Sequence, residues 1–158
     1  MKRNFLVAAF ALALCAATAS ATTLLPLDVR QLTQESNSVV IGRIAAVAEL
    51  SGEPGVALQE VTVEVSETLK GDLAGTVVVS NPGFDGAPAF GPGDEAVLFI
   101  YSKDGVNVLT GLQQGRFGIL TDAKGARTLD RPIPSRDKAT AGSTSLEALV
   151  GEVLAAQQ

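Results

Sequence analysis

Histidine and tryptophan do not occur in this chain of 158 residues, and cysteine, methionine and tyrosine occur once each. The lack of histidine excludes imidazole acid–base chemistry and removes the commonest zinc ligand. The single cysteine, Cys15, cannot form an intrachain disulfide. Catalysis would therefore need carboxylates, or a serine with an unusual base. We predict a protein that is not an enzyme, with no catalytic residue, no metal site and no cofactor.

Positive charge is scarce as well. The chain has 12 Lys and Arg residues against 17 Asp and Glu residues, and its formal net charge is −5. An acidic surface repels phosphate groups, and the sequence contains no run of basic residues that would offset this repulsion. We therefore expect neither nucleic acid nor anionic lipid as a partner.

The first 21 residues follow the pattern of a secretory signal peptide. The basic pair Lys2-Arg3 precedes an apolar run over residues 5–14, and small residues follow up to the A-x-A site at 19–21. The run is shorter than the ~20 residues that a membrane-spanning helix needs. We predict cleavage after Ala21 and export to the periplasm or the extracellular space, without a stable membrane anchor. Cys15 would leave with this peptide, and the leucine before it argues against a lipoprotein signal.

A helical pattern follows, which we assign to a segment over residues 22–37. Apolar residues recur at spacings of four and three between Leu25 and Leu32, which places them on one helix face. Asp28 and Gln31 have the spacing of a capping box. We expect one short helix that packs on the domain.

The chain ends with the pattern of an amphipathic helix over residues 143–158. A polar linker over residues 131–142 precedes it. Thr144 and Glu147 have capping-box spacing. The apolar stripe consists of Leu146, Leu149, Val150, Val153 and Leu154. We expect this stripe to pack on a sheet or on the open end of a barrel.

Residues 38–130 contain short apolar segments separated by turns. Residues 39–47 are apolar at odd and even positions, which predicts a strand covered on both sides or a curled strand, with Gly42 at a bend. Residues 61–65 alternate valine with polar residues, as a half-buried strand does. The continuous apolar run over residues 96–101 predicts the most buried strand.

A hairpin follows the most buried strand. Asp104-Gly105 separates it from a predicted partner over residues 106–112, because an Asp-Gly step between apolar runs favours a tight turn. With further strands before and after, about six strands and two helices result. We predict a mainly β domain over residues 38–130, an OB-like β-barrel with a short N-terminal helix and a C-terminal amphipathic helix, with an α+β arrangement as the alternative.

Short motifs occur in a recognisable order. They are Ser38–Ile44, Val61–Val65 running into Leu69–Asp72, Phe90–Glu95 before Val97–Ile100, and Gly115–Phe117. This order resembles a family of uncharacterised exported bacterial domains. It is more distantly similar to the netrin-like OB-fold barrel of tissue inhibitors of metalloproteinases, and the resemblance covers roughly residues 38–120.

The resemblance implies an OB-type barrel and inhibition of a secreted metalloprotease. In those inhibitors, an N-terminal cysteine held by disulfides presents its amine and carbonyl to the catalytic zinc. This chain would begin at Thr22 and has no disulfide to hold that end, so the inhibitory wedge is not carried over.

Candidate binding residues lie on the longest irregular stretch, residues 81–93, which carries four glycines and three prolines. Phe84 and Phe90 on this loop form either a contact surface or an anchor onto the core. We take both as candidates, together with Asp85 on the loop and Arg116. Arg116 stands within an apolar strand, where it either faces solvent at an edge or recognises a carboxylate.

Acidic residues offer two further sites. Asp85, Asp94 and Glu95 either supply oxygen ligands for calcium or form turns, and we favour turns because their spacing matches no calcium motif. Glu60 and Glu64 are either a catalytic carboxylate pair or a solvated surface, and we favour the surface because both lie on the polar face of their strand.

Together these patterns predict an exported, non-enzymatic binding module. It would use the loop over residues 81–93 and the barrel rim to hold an exported protein or a glycan. The alternatives are a secreted metalloprotease inhibitor and a carboxylate-dependent hydrolase.

Overall fold

The structure, a computed structural model, describes residues 26–50, 57–83, 90–130 and 145–158. The predicted signal peptide and the predicted linker over residues 131–142 lie outside the described residues. So do Phe84 and Asp85, two of the four candidate binding residues.

The described residues form two α-helices, one 3₁₀ helix and seven strands. In chain order these are α1 (Val29–Glu35), β1 (Ser38–Leu50), β2 (Ala57–Lys70), β3 (Thr76–Gly83), β4 (Glu95–Lys103), β5 (Val106–Leu109), the 3₁₀ helix η1 (Leu112–Gly115), β6 (Arg116–Thr121), β7 (Arg127–Asp130) and α2 (Leu146–Ala155). The prediction of a mainly β fold with two helices is confirmed.

Five of the strands form a closed ring in the order β1-β2-β3-β5-β4, because β1 pairs with both β2 and β4. Strands β6 and β7 extend the sheet from β4. A closed ring of five strands is compatible with the predicted OB-like barrel. The predicted Asp104-Gly105 turn joins β4 to β5, with positive φ at both residues.

The ring is closed at a narrow seam between β3 and β5. These two strands are parallel, and one register pair joins them in the described residues, Ser80 opposite Val108. Next to that pair, the side-chain Nδ2 of Asn107 donates to the carbonyl oxygen of Val78 at 3.0 Å. The other ring contacts are antiparallel ladders of at least four register pairs.

Two apolar cores lie on opposite sides of β1 and β4. The inner core fills the ring and consists of Val40, Ile44, Val61, Val63, Val77, Val79, Phe90, Ala96, Leu98, Ile100 and Leu109. The outer core packs both helices on the sheet and includes Val29, Leu32, Val39, Ile41, Val97, Phe99, Phe117, Leu149 and Val153. The double coverage explains why β1 is apolar at odd and even positions.

Strand β1 curls around the ring through irregularities in its pairing with β2. The register shifts between Ile41 and Gly42 and again between Ile44 and Ala46. A Cβ atom at Gly42 would lie 2.6 Å from Cγ1 of Val63 and 2.8 Å from the carbonyl oxygen of Glu64. The predicted bend at Gly42 therefore coincides with a close approach of two strands that leaves no room for a side chain.

We predict that Gly42→Ala destabilises the domain. The new methyl group displaces a backbone carbonyl, so the free energy of unfolding falls by about 1–3 kcal/mol in urea titration. Gly151→Ala is the matched control, since no atom lies within 4 Å of a Cβ at that position of α2. The control raises the free energy of unfolding by about 0.5–1 kcal/mol. Equal effects of both substitutions would contradict the close approach.

Four local predictions were wrong. Strand β3 continues to Gly83, where we expected a loop from residue 81, because Ala57–Gln59 of β2 continues the ladder. The strand predicted over residues 106–112 ends at Leu109, because the backbone turns into η1.

In α2, Ser145 and not Thr144 is the N-cap, and its Oγ accepts from the Ala148 N–H at 3.2 Å. Leu154 faces solvent and does not belong to the buried stripe.

Candidate functional site

One end of the ring carries a polar layer above the inner core. In β3, the inward positions run from Val77 and Val79 to Asn81, which is 1% exposed. The Nδ2 of Asn81 donates to Oε1 of Gln59 on β2 at 3.4 Å. The Oδ1 of Asn81 is buried and has no hydrogen-bond partner in the described part of the chain. The side-chain amide of Asn81 therefore has a hydrogen-bond partner for its nitrogen and none in the described residues for its oxygen.

Gln113 supplies a second buried amide at this end. It lies on η1, which contacts β3, β4 and β5. The neighbouring Gln114 is turned toward the first helix, where its Oε1 accepts from the Leu27 N–H at 2.7 Å. Gln113 is 2% exposed, and neither its Oε1 nor its Nε2 has a hydrogen-bond partner among residues that the structure describes.

Arg116 covers the inner core at the same end. It begins β6 opposite Leu98, and its guanidinium carbon lies 4.6 Å from the centre of the Phe90 ring. This cation–π geometry places a charge over a buried aromatic side chain. The Arg116 side chain is 12% exposed, and its Nε is buried without a partner in the described ranges.

Two carboxylates balance the charge of Arg116. Its Nη2 lies 3.6 Å from Oδ2 of Asp94, which is longer than a hydrogen bond. Burial lowers the pKa of the Arg116 guanidinium, and the negative charges of Asp94 and Asp130 act in the opposite direction. The guanidinium stays protonated near neutral pH, because arginine does not lose its proton in proteins.

Asp94 is held by a turn that is fixed to β1. Its Oδ2 accepts from the Gly91 N–H at 2.8 Å. The Ile44 N–H donates to the carbonyl of Asp94, and the Gly93 N–H donates to the carbonyl of Ile44, both at 2.8 Å. The left-handed φ of 94° at Gly93 allows this turn. Asp94 therefore combines the turn-forming role that we favoured with an ion pair.

We call the group formed by Gln59, Asn81, Phe90, Gln113 and Arg116 the polar rim. Its distinguishing property is that Asn81, Gln113 and Arg116 leave four buried side-chain atoms unpaired in the described residues. Each such atom costs about 1–3 kcal/mol, so folded proteins usually satisfy these atoms with water or a ligand. The polar rim is the candidate binding site.

The structure brings together two of the sequence-predicted site residues, Phe90 and Arg116. Phe90 is 6% exposed and packs as an anchor in the inner core. Of the two alternatives for Arg116, the position facing open solvent is not the one observed: the side chain stacks on Phe90 beside a carboxylate of the same chain.

Sequence reasoning missed Asn81 and Gln113. The inward phase of Val77 and Val79 points to Asn81, provided that the strand continues through Pro82 and Gly83. No periodic pattern points to Gln113, because it lies on a single 3₁₀ turn.

The remaining acidic candidates lie on exposed surface. Glu60 and Glu64 face solvent on β2. Glu95 accepts from the Arg127 guanidinium at 3.0 Å.

No group of three or more His, Cys, Asp or Glu side chains is placed to hold a metal ion within residues 26–50, 57–83, 90–130 and 145–158. No helix in those ranges is long and apolar enough to cross a membrane.

Comparison of the chain with family models and with curated proteins finds no match. The resemblance to netrin-like domains therefore stays a prediction.

Proposed function

We propose that this protein is an exported, non-enzymatic binding module that holds its ligand at the polar rim, next to the loop over residues 81–93. One observation carries the proposal: two stretches distant in sequence, Asn81 on β3 and Gln113 with Arg116 at η1 and the start of β6, leave four buried polar atoms unpaired in the described residues, and η1 contacts β3. Export rests on the signal-peptide pattern of the first 21 residues.

The unpaired atoms indicate the hydrogen-bonding chemistry of the ligand. Asn81 Oδ1 and Gln113 Oε1 accept hydrogen bonds, whereas Gln113 Nε2 and Arg116 Nε donate them. Groups that both donate and accept, such as sugar hydroxyls and peptide amides, match this set. Asp94 and Asp130 already oppose the charge of Arg116, so the ligand need not be an anion. A glycan or an exported polypeptide fits these requirements.

We predict that Gln113→Leu separates binding from stability. Leucine has a similar size and lacks the buried amide, so the free energy of unfolding in urea rises by about 1–3 kcal/mol while binding is lost. Binding is measured on arrayed glycans, and by capture from the envelope and culture-supernatant fractions of the organism that encodes the protein.

A pair of arginine substitutions serves as the matched control. Arg116→Lys keeps the charge but removes Nε from the rim, and we expect it to weaken binding. Arg127→Lys makes the same change at an exposed position on β7 and leaves binding unchanged. If Gln113→Leu lowers stability and binds like the natural chain, internal water satisfies the amide and the proposal fails.

A further inference from the structure

Strand β1 is longer than the ring that it helps to close. Its pairing with β4 ends at Arg43 opposite Glu95, and the backbone bonds of Ile44 to Gly93 and Asp94 are the last on that side. From Ala46 to Leu50, β1 pairs with β2 alone among the described strands. We define residues 45–50 of β1 and the paired residues 57–62 of β2 as the arm; along it β2 still pairs with β3, whereas β1 has β2 as its one described neighbour.

Among the described residues, the side of β1 that faces away from β2 has no partner strand along the arm, and we call this side the free edge. Alternate residues of a strand direct their N–H and C=O groups to that side, where they can pair with another strand. The edge sequence is Ala45-Ala46-Val47-Ala48-Glu49-Leu50, in which Val47 is half-buried and the others are exposed. Small side chains leave this backbone open to close approach. No proline and no lysine of the kind that protects natural edges occurs in it.

The charge on the arm has one sign. Glu49 lies on the edge strand, and Glu60 lies opposite Ala48 on β2, both exposed. Residues 45–50 and 57–62 contain no lysine or arginine. The net charge of the whole chain is also negative, at −5. A strand that adds to this edge is therefore favoured if it carries positive charge, and an acidic strand is disfavoured.

We propose that the free edge of the arm binds an extended, positively charged segment of a partner polypeptide, which adds to β1 as a further strand. Main-chain hydrogen bonds to the edge supply affinity in this mode of recognition, and side chains supply specificity. Here the specificity comes from basic side chains on both faces of the added strand, because Glu49 and Glu60 lie at successive register positions and so on opposite faces of the arm. The edge consists of backbone groups of β1, whereas the polar rim consists of side chains that lie outside β1, so this proposal goes beyond the proposed function and is tested separately.

The test uses the full mature chain and a short fluorescent peptide in which pairs of lysines alternate with pairs of valines, so that both faces of the added strand carry positive charge. We expect a rise in fluorescence anisotropy on binding, and slower amide hydrogen exchange confined to the edge residues 45–50. A peptide of the same length and charge, with prolines in place of the central valines, does not bind, because it cannot form the ladder. A glutamate–valine peptide does not bind either, because its charge matches that of the arm.

Charge reversal on the chain completes the test. Glu49→Lys combined with Glu60→Lys weakens binding of the lysine peptide about tenfold. Glu67→Lys is compared with Glu49→Lys alone, which changes the charge by the same amount; Glu67 is exposed on β2 opposite Ile41, at the other end of the strand. This control retains affinity close to that of the natural chain. Urea titration of each variant checks that the fold is intact.

Three results would overturn the proposal. The first is equal weakening by Glu67→Lys and by Glu49→Lys alone, which would show unspecific attraction to an acidic protein. The second is equal binding of the proline-containing peptide, which would show that no ladder forms. The third is protection of residues 45–50 that depends on protein concentration and not on peptide, which would assign the edge to pairing between two copies of this chain.

Discussion

Phe90→Ala is expected to lower the free energy of unfolding by about 3–5 kcal/mol, the range for removing a buried phenylalanine. Phe90 is almost completely buried in the inner core, although it lies outside the regular strands. Its ring also supports the Arg116 guanidinium at 4.6 Å. The substitution therefore leaves a cavity and removes the surface on which a charged side chain is held. Urea or thermal unfolding of the two proteins measures the difference.

The matched substitution Phe90→Leu separates packing from the cation–π contact. Leucine fills most of the volume, so we expect a smaller loss, of about 1–2 kcal/mol. A double-mutant cycle with Arg116→Met, which removes the charge, then gives the coupling between the two side chains. A loss below about 1 kcal/mol for Phe90→Ala would contradict the burial of this ring.

Leu149→Ala should be the second strongly destabilising substitution, with a loss of about 2–5 kcal/mol. Leu149 is fully buried in the outer core, where α2 packs against α1 and the sheet. Truncation removes the most deeply packed contacts between this helix and the outer core. Circular dichroism during urea titration measures both the stability and the helical signal.

Leu154→Ala is the control on the same helix. Leu154 is 50% exposed, so its truncation changes the free energy of unfolding by less than about 0.5 kcal/mol. A similar loss for both leucines would contradict the orientation of α2. The comparison also tests the sequence-based stripe, which treated the two leucines as equivalent.

The sequence predicts the strands well where one rule dominates. Burial on both sides makes the first part of β1 apolar at odd and even positions. The alternation of valine with polar residues identifies β2. The Asp104-Gly105 step places a tight turn, because few other dipeptides adopt its backbone angles. Strand ends were harder, because Asn81 to Gly83 contains residues that usually break strands and is kept extended by pairing with β2.

The candidate site could be predicted in part. Phe90 and Arg116 stand out because an aromatic residue on a Gly/Pro-rich stretch and a charge in an apolar strand are each unusual. Their contact could not be predicted, because the register of β6 against β4 brings Arg116 over the core. Gln113 could not be found either, since its burial depends on how η1 packs on three strands.

The narrow seam between β3 and β5 has a kinetic consequence. Hairpin contacts such as β4 with β5 join strands that are adjacent in sequence. The seam instead requires closure of a long loop, which costs entropy, and it forms a single register pair in return. The ring should therefore close late in folding and open first in native-state fluctuations. An open ring exposes two new strand edges and a valine-rich interior. The lifetime of that open state, more than the free energy of global unfolding, would determine how readily the protein aggregates.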